Sequence, residues 1–423
     1  MENLAYFFYR WFLAPLLRLT LNLLAPILGP KLRTLVKGKN QREFVLSEPE
    51  ESLRERRPLW VHASSGEVEY ARPVLRALKE KYPELPLLVT YSSPSAIRLI
   101  QSIPDLSAWG PVPWENGHDI RAFLERFKPR ALMVARTDLW PILIDEVSKA
   151  GVPSLMFSAT FASNSSRLKG FARCLTGFSL RRLSHLQLVS EDDRKSLGSL
   201  AAGLSVEIAG DTRFDQVSHR LSHPKPLPIS LKPAMGRPVL IAGSTWPEDE
   251  QHLLSTIKEA PDWKVLLAPH ETTPAHLESL ERSLQEHGIS FQKFSRGGNW
   301  TEQVLLLDQV GILAELYSWG DLAFVGGSFK KQVHSVMEPL AAGLRVLVGP
   351  HHLNNREALH FREVFAGQDP LVIPVSSSQD LLKALRNPAL LQAKEQIRLL
   401  VRAQEGATLK ALSWMERITP SGS

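Results

Sequence analysis

Two doubly wound α/β domains in succession are what this 423-residue sequence predicts. Three observations carry the prediction. Short apolar runs alternate with amphipathic helical stretches from Pro58 to Asp215; His219 to Pro238 then carries five prolines and no sustained periodicity; and the same alternation restarts at Val239. Apolar runs of this kind belong to parallel strands covered by helices on both faces. A chain of this length also exceeds one ordinary domain.

The elements follow in order. Leu4 to Leu28 is almost entirely apolar, broken by Arg10, Pro15, Arg18, Asn22 and Pro26, and Lys31, Arg33, Lys37, Lys39 and Arg42 follow with no acidic residue among them. Placed on a helix, Asn3, Arg10, Arg18 and Asn22 share one side, opposite a face of Phe, Trp and Leu. Two arginines at mid-bilayer depth would each cost about 2.5 kcal/mol or more, so an interfacial helix with a basic partner for anionic lipid is favoured. A buried helix packed on the body and a single span remain the alternatives.

Residues 43–218 then read as the first α/β domain, with strands at Pro58 to Ala63, Leu87 to Tyr91, Ala131 to Ala135 and Ser154 to Phe157, and a helix from Glu69 to Lys81. Residues 219–238 read as a linker. Residues 239–423 read as the second domain, with strands at Val239 to Ala242, Val265 to Ala268, Val304 to Leu307, Leu322 to Val325, Val346 to Val348 and Leu371 to Val375. A final helix, Gln392 to Met415, is long enough to cross back onto the first domain. Two such domains in succession predict a cleft between the carboxyl ends of two sheets, where ligands of open α/β sheets bind.

The single cysteine, Cys174, excludes an internal disulfide framework and a cysteine-rich metal site, and reads as a small apolar residue of a reducing compartment. The net charge of +6 and pI near 9.3 fit anionic partners where the charge is localised, which is beside the apolar start; no nucleic-acid partner is expected. There is no Walker-type loop and no Asp-x-Asp pair, so a metal-independent chemistry is favoured.

The richest stretch is Val325-Gly326-Gly327-Ser328-Phe329, followed by His334 and Glu338-Pro339. A buried strand, a glycine turn and helical spacing from His334 to Gly343 would set a phosphate at a helix amino end. Glu338 would accept two hydrogen bonds from a ribose diol.

The segment Pro58-Leu59-Trp60-Val61-His62-Ala63-Ser64-Ser65-Gly66-Glu67 is followed in order by Leu139-Trp140-Pro141, Gly210-Asp211-Thr212-Arg213-Phe214-Asp215, Ala242-Gly243-Ser244-Thr245, Phe324 to Ser328 and Met337-Glu338-Pro339. Together these motifs resemble the 3-deoxy-manno-octulosonic acid (Kdo) transferases. The resemblance implies a GT-B glycosyltransferase of two Rossmann-like domains facing across a cleft, anchored by an N-terminal helix at the cytoplasmic face of the bacterial inner membrane. It implies inverting transfer of Kdo from CMP-Kdo to a lipid A precursor.

By that resemblance Glu67 is the general base, with Glu69 as its competitor, since a poor hydroxyl nucleophile needs a positioned carboxylate. Gly326, Gly327 and Ser328 would approach CMP, Glu338 its ribose, and Ser244, Thr245, His270 and His334 its phosphate; Ser244 and Thr245 serve equally as helix caps, and His270 as a packing residue. The acceptor side would use Ser65, Gly66, Arg136, Asp138 and Trp140.

The acceptor half departs from the family pattern. Arg136-Thr137-Asp138-Leu139-Trp140-Pro141-Ile142 stands where Glu-x-Glu-Leu-Trp-Pro-Asn is usual, Ala159-Thr160-Phe161 replaces Asn-Ala-Arg, and His270 lies between Pro269 and Glu271 rather than in Arg-His-Pro. Competing readings are a UDP-sugar transferase or epimerase, and a divergent homologue that kept the fold as a lipid-surface binding protein.

Overall fold

The computed structural model describes residues 1–25, 27, 29–227, 231–232 and 236–418. They divide into two compact units, Met1–Gln216 with Glu405–Ser423, and Val217–Gln404. Pro26 and Leu28 of the apolar start, 228–230 and 233–235 of the proline-rich stretch, and 419–423 lie outside the described residues.

The first unit is built on strands β1 (Val45–Leu46), β2 (Leu59–His62), β3 (Leu87–Tyr91), β4 (Ala108–Pro111), β5 (Ala131–Ala135), β6 (Ser154–Ala159), β7 (His185–Leu188) and β8 (Val206–Ile208). Their order is β1-β4-β3-β2-β5-β6-β7-β8, parallel except for the edge pair β1–β4. Every residue of β2, β3, β5, β6 and β7 is buried, as expected of strands covered on both faces. The chain winds outward in both directions from β2 and β5, so these neighbours form the switch point. Helix Val68–Lys81 covers one face together with helix Ala407–Ile418, whose Ala411, Leu412, Trp414 and Met415 enter the same core as Val74, Leu75 and Val89. Asp215 caps that last helix by accepting from the N–H groups of Gly406 (2.7 Å) and Thr408 (2.8 Å).

The second unit carries β9 (Val239–Thr245), β10 (Lys264–Pro269), β11 (Phe291–Lys293), β12 (Val304–Leu306), β13 (Leu322–Val325), β14 (Arg345–Val348) and β15 (Val372–Pro374). The all-parallel order is β11-β12-β10-β9-β13-β14-β15, with the switch between β9 and β13.

Three expected elements differ. The proline-rich stretch begins inside a helix, Thr212–Ser222, because Phe214 and Val217 bury an apolar stripe there. The helix expected over Gln392 to Met415 is two helices, Lys394–Arg402 and Ala407–Ile418, broken near Gly406 at φ +108. The helix expected from His334 to Gly343 spans only Met337–Ala341, ending before Gly343 at φ +91.

The N-terminal segment is helical over Glu2–Phe8 and Ala14–Leu24, joined by a wide π turn at Tyr9–Leu13. Its polar side faces inward. The Arg10 guanidinium meets Glu146 (2.6 Å) and Asp145 (3.3 Å), Arg18 meets Asp119 (2.9 Å), and the Tyr6 hydroxyl donates to Asp145 (2.5 Å). Tyr9 and Ala14 join the core of the first unit. The apolar side is left outward, with Leu4 at 72%, Trp11 at 61% and Leu23 at 65% exposure. No helix among the described residues is long and apolar enough to cross a membrane.

The basic cluster is not uniformly outward. Arg42 pairs with Asp119 (2.6 Å), and the Lys39 ammonium lies over the rings of Trp114 (5.0 Å) and Trp140 (5.7 Å), where burial pushes it down to about 8 against the pull of Glu115 and Asp138.

Candidate active site

In each unit the sequence-predicted residues gather at the carboxyl ends of the strands that flank the switch point. In the first unit, β2 ends at His62, and the chain passes Ala63 and Ser64 and turns through Ser65, at φ +31, into a short 3-10 turn, Ser65–Glu67, that enters helix Val68–Lys81. This places Glu67 at the sheet edge, half-buried. From the neighbouring strand, β5 turns through Arg136 at φ +63 and presents Asp138. Non-glycine residues held in the left-handed region cost about 1–3 kcal/mol each and tend to gather at functional sites.

Asp138 is the fixed centre of this cluster. It accepts from His62 Nε2 (3.0 Å) and Ser92 Oγ (3.0 Å), and His62 Nδ1 is held by Thr90 Oγ1 (2.9 Å). Burial opposes its ionisation, but the His62 and Ser92 bonds outweigh burial and hold Asp138 down to about 2. Glu67 goes the other way. Burial, then the charge of Asp138, raises its pKa above the ordinary carboxylate value, with Arg136 opposing. Two carboxylates with opposed pKa shifts are the arrangement that separates a permanent anion from a proton acceptor. Glu69, the competing base, is occupied by Arg72 (3.3 Å) along its own helix.

Arg136 lies over the Tyr70 ring at 5.4 Å, and its Nε is buried without a hydrogen-bond partner among the described residues. Ser65 pairs with Ser95 (2.8 Å), Gly66 is exposed, and Trp140 caps the approach to helix Pro141–Lys149. Glu115, which the sequence does not signal, accepts from the N–H groups of Ile142 (2.6 Å) and Leu143 (3.3 Å), and burial pushes it up to about 7.

In the second unit the glycine loop follows β13 and abuts the end of β9. A Cβ on Gly326 would stand 2.3 Å from the Ser244 carbonyl oxygen, and one on Gly327, at φ +77, would stand 2.3 Å from that of Gln332. Both positions therefore require glycine. Several of the loop's donors, however, already have partners within the fold. Asp249, fully buried, accepts from the N–H groups of Gly327 (2.7 Å), Phe329 (2.9 Å) and Trp246 (2.9 Å). The Gly326 N–H bonds the Gly243 carbonyl (2.9 Å), and the Ser328 hydroxyl donates to the Val325 carbonyl (2.8 Å). Thr245 donates to Glu250 (3.0 Å) and is buried. The Gly327 N–H and the hydroxyls of Thr245 and Ser328 thus have partners within the fold, with Asp249 set beneath the loop, and the helix behind it, Met337–Ala341, is shorter than expected.

Ser244 sits at φ +55 at the end of β9, half-buried. His270 stacks on Trp246 (4.8 Å) and on His334 (4.4 Å), and the Trp246 indole N–H donates to His334 Nε2 (3.1 Å). Burial, then His270, holds His334 down to about 4, so its ring is neutral with the proton on Nδ1. Glu338, in the first turn of Met337–Ala341, is half-buried, and no hydrogen bond or ion pair of its carboxylate is found among the described residues. That is a free acceptor of the kind a diol would meet.

Residues 38–216 match the family model described as 3-deoxy-D-manno-octulosonic-acid transferase (kdotransferase). The chain is 29% identical over 386 residues to the 3-deoxy-D-manno-octulosonic acid transferase of Bordetella pertussis, spanning 85% of this chain and 87% of that protein. Over most of its length this chain is similar to the Kdo transferases. The transferase from Aquifex aeolicus is 27% identical over 365 residues, covering 84% of this chain and 93% of that one, and the Haemophilus influenzae protein is 28% identical over 352, covering 80% of each. Kdo transferases are glycosyltransferases. Among solved structures, the UDP-GlcNAc 2-epimerase from Neisseria meningitidis bound to UDP-GlcNAc is 15% identical with a TM-score of 0.57, covering 85% of this chain and 100% of that one. That likeness shows the fold alone, a GT-B-like α/β fold with Rossmann-like sheets.

Proposed function

We propose that this protein transfers Kdo from CMP-Kdo to a lipid A precursor, with inversion at the anomeric carbon and without a metal. The observation that carries the reading is the Glu67–Asp138–His62 cluster at the switch point of the first unit, within the residues that match the Kdo transferase family. The acceptor hydroxyl attacks the anomeric carbon, the bond from that carbon to the CMP phosphate oxygen breaks, and Glu67 takes the hydroxyl proton. Asp138 stays ionised and keeps Glu67 basic through its charge. The first unit would hold the acceptor through Ser65, Gly66, Arg136, Asp138 and Trp140. The second would hold the donor, with Glu338 on the ribose and the ring stack of His270 and His334 beside it.

We place the protein at the cytoplasmic face of the inner membrane, anionic lipid included among its partners. What supports this is the outward row of Phe, Trp and Leu side chains on helices whose polar side is ion-paired to the body. The test is incubation with a CMP-Kdo generating system and lipid A precursors, with products read by mass. Product carrying added Kdo supports the reading. Its absence, with thermal protection by UDP and none by CMP, would move the assignment to a UDP-sugar enzyme.

A further inference from the structure

A donor that leaves as a nucleotide brings a phosphate, and in the second unit the glycine loop is lined by acidic side chains. Asp249 and Glu250 are buried beneath the glycine loop, and Glu338, in the short helix that follows, has no side-chain partner among the described residues. Four donors at the glycine loop are spent: the Gly327 and Phe329 N–H groups on Asp249, the Thr245 hydroxyl on Glu250, the Ser328 hydroxyl on a carbonyl. His334 is uncharged and its Nε2 is taken by Trp246. These groups carry no positive charge to balance a phosphate, and a nearby cation would supply it.

Among the described residues neither lysine after the loop, Lys330 nor Lys331, forms an ion pair, and Lys330 is the one set against the site. Lys330 follows directly on the Gly326–Phe329 turn, which its N–H closes onto the Gly327 carbonyl (3.2 Å). Its ammonium lies 3.3 Å from the centre of the Trp246 ring, and among the described residues it forms no ion pair. It borders a cavity of about 150 Å3 whose other walls include Glu248 and Glu271, yet it pairs with neither. An indole face is a weaker partner for an ammonium than a phosphate oxygen, and the four-carbon stem lets the head swing without moving the backbone. The indole therefore keeps the charge near the loop while leaving it available.

We propose that Lys330 is the cation that meets the donor phosphate, resting on Trp246 until the nucleotide arrives. This rests on the donor reading of the second unit and adds to it the residue that neutralises the leaving group. The lysine balances the negative charge that grows on the phosphate as the bond to the sugar breaks.

The test compares CMP with cytidine by calorimetry on the full-length protein and on Lys330→Gln, with Lys331→Gln, its exposed neighbour, as control. The expected result is a loss of roughly tenfold or more in CMP affinity for Lys330→Gln. Cytidine affinity should be unchanged, salt should weaken CMP binding less than in the wild type, and Lys331→Gln should behave as wild type. Equal effects on CMP and cytidine, or none on either, would overturn the proposal and leave Lys330 as a cover for Trp246. If the wild type binds UDP and not CMP, the donor assignment fails on its own, and the contrast of UDP with uridine decides the role of Lys330 in the same way. Binding of neither nucleotide overturns both.

Discussion

Glu67 and Asp138 share one pocket and are driven to opposite protonation behaviour, and the consequences are measurable. For Glu67 the folded pKa is raised, so the fold binds its proton more tightly than the unfolded chain does. Its contribution is fully favourable below the unfolded value and is lost as pH rises through the folded one. Glu67→Gln should therefore raise the Tm near neutral pH, and the difference should vanish by about pH 4. Asp138 is the reverse: depressed from 3.8 to about 2, it contributes stability above its unfolded pKa that is lost as pH falls toward about 2. Asp138→Asn should cost about 2 kcal/mol at neutral pH, shrinking as denaturant melts are repeated at lower pH. A flat pH dependence of that difference would show Asp138 unpaired in solution. Glu338→Gln exchanges a free carboxylate for a group with one acceptor oxygen, and calorimetry should record about 1.5–3 kcal/mol of lost CMP binding with the melting temperature unchanged. Glu67, Glu338 and the two glycines stand out in the sequence because they fall within the motifs that resemble the Kdo transferases. The roles of His62, Asp249 and Lys330 were not legible there: they arise from side chains of separate elements that only the fold brings together.

At the scale of elements, the long apolar strands β3, β5 and β13 fall where the sequence places them, because runs such as Leu87 to Tyr91 are buried on both faces. The missed strands are those with polar or aromatic interruptions, such as His185–Leu188 and Ala108–Pro111, held by their neighbours in the sheet rather than by pattern. The N-terminal helices show a further limit of periodicity. Their polar and apolar faces are readable, but which one faces the body depends on Asp145, Glu146 and Asp119, far along the chain. Arg10→Ala removes a guanidinium from two buried carboxylates and should destabilise the first unit by about 1–3 kcal/mol in thermal or denaturant melts. Removing residues 1–41 outright would expose Tyr9 and Ala14 contacts of the core as well. Replacing outward residues, as in Trp11→Ser with Phe12→Ser, tests membrane binding without that damage.

For the molecule as a whole, the net charge of +6 overstates the electrostatic attraction available to a lipid surface. Arg10, Arg18 and Arg42 are spent on internal carboxylates, and Lys39 lies over two indoles. Liposome flotation should then depend mainly on the exposed apolar row and only modestly on salt, with Trp11→Ser and Phe12→Ser together abolishing most of it; binding that disappears on raising salt alone would reverse that ranking. That one chain joins a CMP-sugar to a lipid acceptor with Glu67 as base is open to a single decisive rate measurement. Transfer from CMP-Kdo to a lipid A precursor is followed for wild type and Glu67→Gln, with CMP affinity measured on the same preparations. The wild type should transfer, the variant should lose about 100- to 10,000-fold in rate, and CMP affinity should be equal in both. Transfer by the variant at the wild-type rate would contradict the assignment of Glu67.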